Sequence, residues 1–450
     1  MTQDGEDRRE LTRFLVQLGA AMNASGQPVD VVQERLVAVA RAYGADSVRV
    51  SAFPTYLMVT MGRGEPATLE LTTPLGRSPR LDEIAAVDRL GYQALRAQVT
   101  PAEGIRCLAA IRDVRARFSP PLSIAGYSIL TVGICLVLRP ALVDVAAAAV
   151  LGAIVGVLRW LTRRQPTLRV LMPVVAAFTV AALTSMAVNA DVADLGLRAI
   201  VSPLVVFLPG ATLTTGVLEL GSGEMISGSS RLVSGVVELA LLAFGILAGI
   251  QAVGVPAEQV FAGSGDLLGL WAPWLGVLFV AVGVTLAYSA PKGSLPGLLI
   301  VLYAAWTAQL TTNALLGGYV SALIGAAVLT LVAFSVARLP SAMPPHASFL
   351  PGFWLLVPGA IGLIGLTQYA GSGGSGSSTD LFATIGSIFG VALGVLCGTQ
   401  LRAWAVATGR VVNEVTGTLA ERSTWLQNRH RARRQPATPS VEREPPEPMP

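Results

Sequence analysis

The chain has 450 residues, of which 52% are hydrophobic and 13% charged, with 32 Lys and Arg against 28 Asp and Glu. Soluble globular domains carry about 25% charged residues, and the charges here crowd into residues 1–118 and the segment after Arg402, which excludes an ordinary soluble fold for the middle. The net charge of +4 reads as membrane topology rather than nucleic-acid affinity, because lipid cannot solvate charged side chains.

Residues 8–118 read as a small α/β unit. Leu11, Leu15, Leu18 and Met22 recur at helical spacing up to Ser25-Gly26. Val32, Leu36, Val39 and Ala40 mark a second helix ending at Gly44. Strand-like stretches follow at 47–53, 56–61 and 68–72, separated by Pro54 and a Gly-Arg-Gly turn at 62–64. Two more helices, about 81–97 and 101–118, lead toward the membrane, and Arg106, Arg112, Arg115 and Arg117 suit the last one to anionic headgroups.

From Pro120 the pattern changes. A spanning helix needs about 20 apolar residues, and ten candidates fall near 121–138, 140–158, 168–188, 197–219, 229–253, 267–288, 294–313, 316–337, 350–370 and 380–402. The fold class is therefore an α-helical polytopic membrane protein with a small N-terminal α/β cytosolic domain. Its expected parts are 1–118, a first five-helix repeat at 119–255, a second at 256–405, and a basic, then Pro/Glu-rich disordered tail at 406–450.

Arginine placement sets the orientation. The first long apolar run begins only near Pro121, so no secretory signal is visible and residues 1–118 are expected in the cytoplasm. Inner connections then hold Arg159, Arg163, Arg164, Arg169, Arg231, Lys292 and Arg338, whereas outer ones hold Asp191, Asp194, Glu258, Asp266 and the stretch 371–380, with Arg139 and Arg198 their only basic residues. Ten spans, an even number, put both termini on the cytoplasmic side of the cell membrane. Asp144 reads as interfacial, and Trp271, Trp274, Trp306, Trp354 and Trp404 as interface anchors.

A weak self-similarity runs through the apolar part. VVFLPGAT at 205–212 is matched by WLLVPGAI at 354–361, and SGSS at 227–230 by SGSS at 375–378, offsets of 149 and 148. An odd number of spans per unit inverts the second half, giving two inverted five-helix repeats. In such folds substrate sits near the midplane at interrupted helices. Pro209-Gly210 and Pro358-Gly359 are those interruptions, because Pro lacks a backbone donor and Gly tolerates unusual dihedrals. Thr212, Thr214 and Thr215 lie one turn beyond the first, and Gln309, Thr312 and Asn313 close the seventh span, so these residues are the candidate substrate contacts. The threonines could equally bond their own helix, and the seventh-span residues could merely mark a helix end.

Glu238 lies about 9 residues into its span, where an ionisable group is costly and suggests a proton carrier or substrate contact, the alternative being a carboxylate paired with an arginine for structure alone. Glu219, Glu224 and Arg231 form a candidate gate or an interfacial ion network. Enzymatic signals are poor. His346 and His430 are the only histidines, and Cys107, Cys135 and Cys397 show no disulfide framework or metal spacing. No Walker loop or GxSxG is present, so no cofactor is expected and any driving force is an ion gradient.

The stretch FLPGATLTTGVLELGSGEMISGSSRLVSGVVEL at 207–239 resembles the signature of bacterial threonine/serine exporters, and LVQLGAAMNASGQPVDVVQERLVAVARAYGA at 15–45 is similar to their cytosolic domain. The resemblance covers about 10–420 and includes Pro209, Gly210, Gly216, Gly228, Arg231, Gly235 and Glu238. It implies export of L-threonine and L-serine driven by the proton motive force. The expected partners are thus an amino acid, protons and membrane lipid, and a homo-oligomer is compatible with the sequence. The rival readings are a membrane-anchored hydrolase using Ser25, Asp46, Ser51 or Thr55, and a membrane sensor.

Overall fold

The apolar stripes of the first hundred residues close on one another. The computed structural model describes residues 3–61, 68–72, 78–163, 165–192, 195–256, 259, 268–339, 341–356, 363 and 386–405. Helices α1 (Gln3–Ala24) and α2 (Val29–Ala42) precede strands β1 (Val48–Ala52), β2 (Leu57–Met61) and β3 (Thr68–Thr72). The strands form an antiparallel sheet in the order β1-β2-β3, with Val48 opposite Met61 and Leu57 opposite Thr72. Leu57, Val59 and Met61 alternate with less buried residues, as the two-residue period of a half-buried strand requires. They meet Phe14, Leu15, Leu18, Val32 and Leu36 in one core.

Helices α3 (Leu81–Leu95) and α4 (Pro101–Asp113) complete this region. Thr100 starts α4 with a reciprocal cap: its hydroxyl accepts from the Glu103 N–H, and the Glu103 carboxylate accepts from the Thr100 N–H, with Pro101 at the first helical position. The turn at 62–64 lies outside the described residues.

The apolar part runs through α5 (Pro120–Val137), α6 (Leu142–Thr162), α7 (Pro166–Asn189), α8 (Leu197–Leu204), α9 (Gly210–Gly221), α10 (Met225–Val253), α11 (Ala272–Ala287), α12 (Leu295–Leu316), α13 (Gly318–Val336), α14 (Pro345–Leu356) and α15 (Gly386–Ala405). They overlap the predicted segments, although α14 covers only the first residues of the segment expected at 350–370, most of which lies outside the described residues. Among the described residues six helices are long and apolar enough to cross a membrane, and seven spans result if the bent pair Arg198–Phe207 and Gly210–Gly221 counts as one. Ala272–Ala287 and Val320–Val336 are shorter apolar helices.

Residues 1–399 form one compact unit and residues 400–450 another, of which 406–450 lie outside the described residues. Within the first unit the α/β region and the apolar helices share a core: Leu81 and Ile84 of α3 join the cluster of Tyr127, Leu130, Ile200, Leu204 and Trp354.

Glycine seams hold the apolar helices together. Lipid tails give helices little hydrophobic reason to associate, so close backbone approach takes over. In α5 against α11, a Cβ on Gly133 would sit 2.8 Å from the Gly276 carbonyl, and one on Gly276 2.7 Å from the Gly133 carbonyl. Gly126 faces Leu286 while Gly283 faces Leu130, so the two helices run antiparallel.

A second seam occurs twice. In α10, Gly245 abuts the Val174 carbonyl and Ala177 of α7, and Gly249 abuts the Phe178 carbonyl and Ala181. In α15, Gly394 abuts the Leu323 carbonyl and Ala326 of α13, and Gly398 abuts the Ala327 carbonyl and Thr330. Every residue of the second contact stands 149 positions after its counterpart.

Three placements differ from the sequence reading. Asp144, near the start of α6, is fully buried within the protein instead of open to an interface, its carboxylate accepting from the Ala141 and Gly196 N–H groups. Trp354 is buried against Tyr288, and the indole nitrogen of Trp306 is enclosed, so neither anchors at an interface. Trp271, Trp274 and Trp404 are exposed as expected of anchors.

Candidate functional site

The break in the fourth apolar segment lies where the sequence places it. Helix α8 passes into a 3₁₀ turn (Val205–Phe207), Leu208 is extended at φ −69° and ψ 126°, and α9 departs at 52°. The cause is local: Pro209 has no N–H to give, and its ring pushes the preceding residue out of the helical region. Helix α10 receives the break at Gly235, where a Cβ would stand 2.5 Å from the Leu213 side chain and 3.5 Å from Pro209. Glu238 follows three residues later, within one turn. It is partly exposed and, among the described residues, makes no hydrogen bond or ion pair.

Beyond the break, Thr214 and Thr215 are buried, Thr212 partly so, and Gly210 is enclosed. Buried helical threonines usually bond the carbonyl one turn back, as Thr330 does to Ala326. Thr214 does not: its hydroxyl is enclosed and has no hydrogen-bond partner among the described residues, and the Ser227 hydroxyl of α10 is in the same position. Such a group costs about 1–3 kcal/mol and is suited to a polar ligand.

At the far end of α9, Glu219 is wholly buried. Arg231 Nε lies 3.0 and 2.9 Å from its two carboxylate oxygens. The same carboxylate accepts the Val29 N–H at 3.1 Å. Val29 is the first residue of α2, so its N–H lacks an intrahelical acceptor and sits at the positive end of the helix dipole. Glu224 joins through its backbone, whose N–H donates to the Glu219 carbonyl, and its carboxylate accepts from Gln33 Nε2 at 2.7 Å. Gly216 and Gly228 let α9 and α10 close around the pair, each pointing at the other's carbonyl.

The second half is seen in part. Gln309 Nε2 donates to the Leu356 carbonyl at 3.2 Å, while its Oε1 is enclosed and unpartnered among the described residues. Thr312 is buried and Asn313 exposed. Pro358, Gly359 and the serines at 375–378 lie outside the described residues. Ala211 and Leu218 of α9 pack on the cluster of Val301, Ala305, Phe353 and Leu356, so the first break abuts helices of the second half.

His346, given no role by the sequence, touches the α/β region: Gln27 Nε2 lies 3.3 Å from its Nε2. It precedes the predicted ninth span, and Arg35 and Asp88, themselves paired at 2.7 Å, are its charged neighbours. Burial lowers the imidazole pKa from its ordinary 6.5 to about 4. The folded state therefore binds fewer protons than the unfolded one between those values, so stability present above pH 6.5 is lost as pH falls toward 4. Taking the protein from pH 7.5 to 5 should remove up to about 2 kcal/mol through this group. Thermal unfolding of His346→Gln should show a shallower pH dependence in that window; identical slopes would rule the imidazole out.

Among the described residues no hydrogen bond or ion pair links Ser25, Asp46, Ser51 and Thr55, and the Ser25 hydroxyl bonds the Ala21 carbonyl. No group of three or more His, Cys, Asp or Glu suited to a metal ion occurs among them either.

Residues 13–253, slightly more than half the chain, match a family model described as "Putative threonine/serine exporter". No curated protein and no solved structure matches the chain.

Proposed function

From the chain's membership of the threonine/serine exporter family, we propose that this membrane protein moves L-threonine and L-serine out of the cytoplasm, driven by the proton motive force. The observation that carries the reading is the enclosed, unpartnered Thr214 hydroxyl beside the Pro209 break. A small hydroxylated zwitterion matches that chemistry: freed carbonyls ahead of the Pro209 break suit an ammonium, and side-chain hydroxyls suit the substrate's own.

The membrane part is read as ten spans in two inverted repeats, 119–255 and 256–405, with residues 1–118 and both termini on the cytoplasmic side of the cell membrane. The twice-used glycine contact supports the repeat. Antiparallel packing of α5 on α11, the first helices of the two halves, supports the inversion. Substrate sits between the halves, at Pro209, Gly210 and Thr212–Thr215 on one side and Gln309, Thr312, Asn313, Pro358 and Gly359 on the other. Glu238, an acid on an otherwise apolar stretch of α10, carries the proton, and Glu219, Glu224 and Arg231 gate the inner end.

Cells expressing the protein and loaded with a threonine dipeptide should release threonine in an uncoupler-sensitive manner, and Glu238→Gln should reduce release to the level of cells lacking the protein. Release indifferent to the uncoupler would remove proton coupling. Wild-type release by Glu238→Gln would remove that residue while leaving transport intact.

A further inference from the structure

Arg159 belongs to α6, near the end where the α/β region docks, and the sequence marks it only as one of several inner arginines. Its guanidinium carbon lies 4.9 Å from the Tyr127 ring centroid and 5.1 Å from that of Tyr288. Both are cation–π distances. Among the described residues no carboxylate stands within ion-pair reach, and the polar neighbours of the guanidinium are the hydroxyls of the same two tyrosines.

Its electrostatic neighbours are the two tyrosines. The Tyr127 hydroxyl is spent, donating to the Pro203 carbonyl at 2.7 Å. The Tyr288 hydroxyl is enclosed and finds no partner of good geometry among the described residues. An arginine serving only as a topological anchor extends its head into water. This one is held over two rings, and its five donors exceed what two phenol oxygens can accept.

The surroundings connect the cage to the Pro209 break and to α14. Tyr127 is tied to α8, the helix leading into the Pro209 break. The Tyr288 ring packs on Trp354 at 5.5 Å, and Trp354 is two residues before Leu356, whose carbonyl Gln309 holds. The Tyr288 carbonyl accepts the Leu81 N–H at the start of α3, so the α/β region lies directly at the cage.

We propose that Arg159, over Tyr127 and Tyr288, is the binding group for the α-carboxylate of the exported amino acid. This rests on the exporter reading. A planar guanidinium whose face is covered by aromatic rings keeps its edge for a two-pronged bond to a carboxylate, which lysine cannot reproduce. The Tyr288 hydroxyl supplies a further donor to the same group.

The test uses full-length protein in lipid nanodiscs, titrated with L-threonine and with 1-amino-2-propanol, which keeps the amine and hydroxyl but lacks the carboxylate. Threonine efflux from cells is measured in parallel. Wild type should prefer threonine, and Arg159→Lys should weaken threonine binding about 10- to 100-fold with little change for the amino alcohol. Tyr288→Phe, which keeps the ring and its packing, should produce a smaller loss in the same direction and covers the case in which the arginine variant does not fold.

Wild-type threonine preference retained in either variant would overturn the assignment while leaving the exporter reading standing. Absence of threonine efflux and binding in wild type would instead remove the exporter reading, and this assignment with it.

Discussion

Arg231→Ala should destabilise the protein by about 3–5 kcal/mol, far more than loss of a surface ion pair. Glu219 is wholly buried, and Arg231 Nε is the only cationic group bonded to it among the described residues. Removing the arginine strands a carboxylate that retains a single backbone donor, the Val29 N–H. Glu219→Gln/Arg231→Gln should recover much of the loss, because two neutral amides need no charge compensation. Unfolding of Glu219→Gln, Arg231→Gln and the double variant in one detergent gives the coupling free energy directly. A cost for Arg231→Ala below about 1 kcal/mol would mean that water reaches the pair, and the gate reading would lose its physical basis. The same series reports on docking, since α2 loses its charged acceptor whenever Glu219 is neutral.

Gly249→Val and Gly398→Val should each cost about 1–3 kcal/mol or more, and by similar amounts. At Gly249 a Cβ would lie 2.6 Å from the Phe178 carbonyl oxygen, and at Gly398 2.9 Å from that of Ala327. A backbone carbonyl cannot swing aside as a side-chain tip can, so the whole helix must retreat. Gly221→Ala is the control, because its nearest neighbour is the Leu396 side chain at 3.8 Å. Thermal unfolding of the three variants checks this. A large loss at Gly249 with none at Gly398 would argue that the two seams are not equivalent, against a repeated architecture.

Much of the helical layout was legible because it follows from one-dimensional rules. Apolar runs bounded by arginine or proline mark the helices, and Pro209 dictates its own break. The α/β region was legible for the same reason, through the spacing of Leu11, Leu15, Leu18 and Met22 and the alternation in β2. What stayed hidden depends on partners far along the chain. Asp144 looks interfacial by position, yet it is buried because the N–H groups of Ala141 and Gly196 converge on it. Arg159 is indistinguishable from its neighbours Arg163 and Arg164 until Tyr127 and Tyr288 arrive from other helices. The Val29–Glu219 contact joins residues 190 positions apart, and no local pattern announces it. One signal was available: glycines at 245, 249, 394 and 398 keep the offset that the Pro-Gly pairs suggested.

The paired glycine seams also have a mechanical meaning. Helices that touch backbone to backbone have almost no slack between them, since dense interiors resist sliding. Helix α7 with α10, and α13 with α15, therefore behave as stiff struts, each moving as one piece. Bending is left to the joints, and among the described residues the Leu208–Pro209 link is such a joint. It abuts one strut at Gly235 and leads into the helix that ends on Glu219. A small rotation at that joint is levered along α9 to its buried acidic end, where the α/β region is fastened.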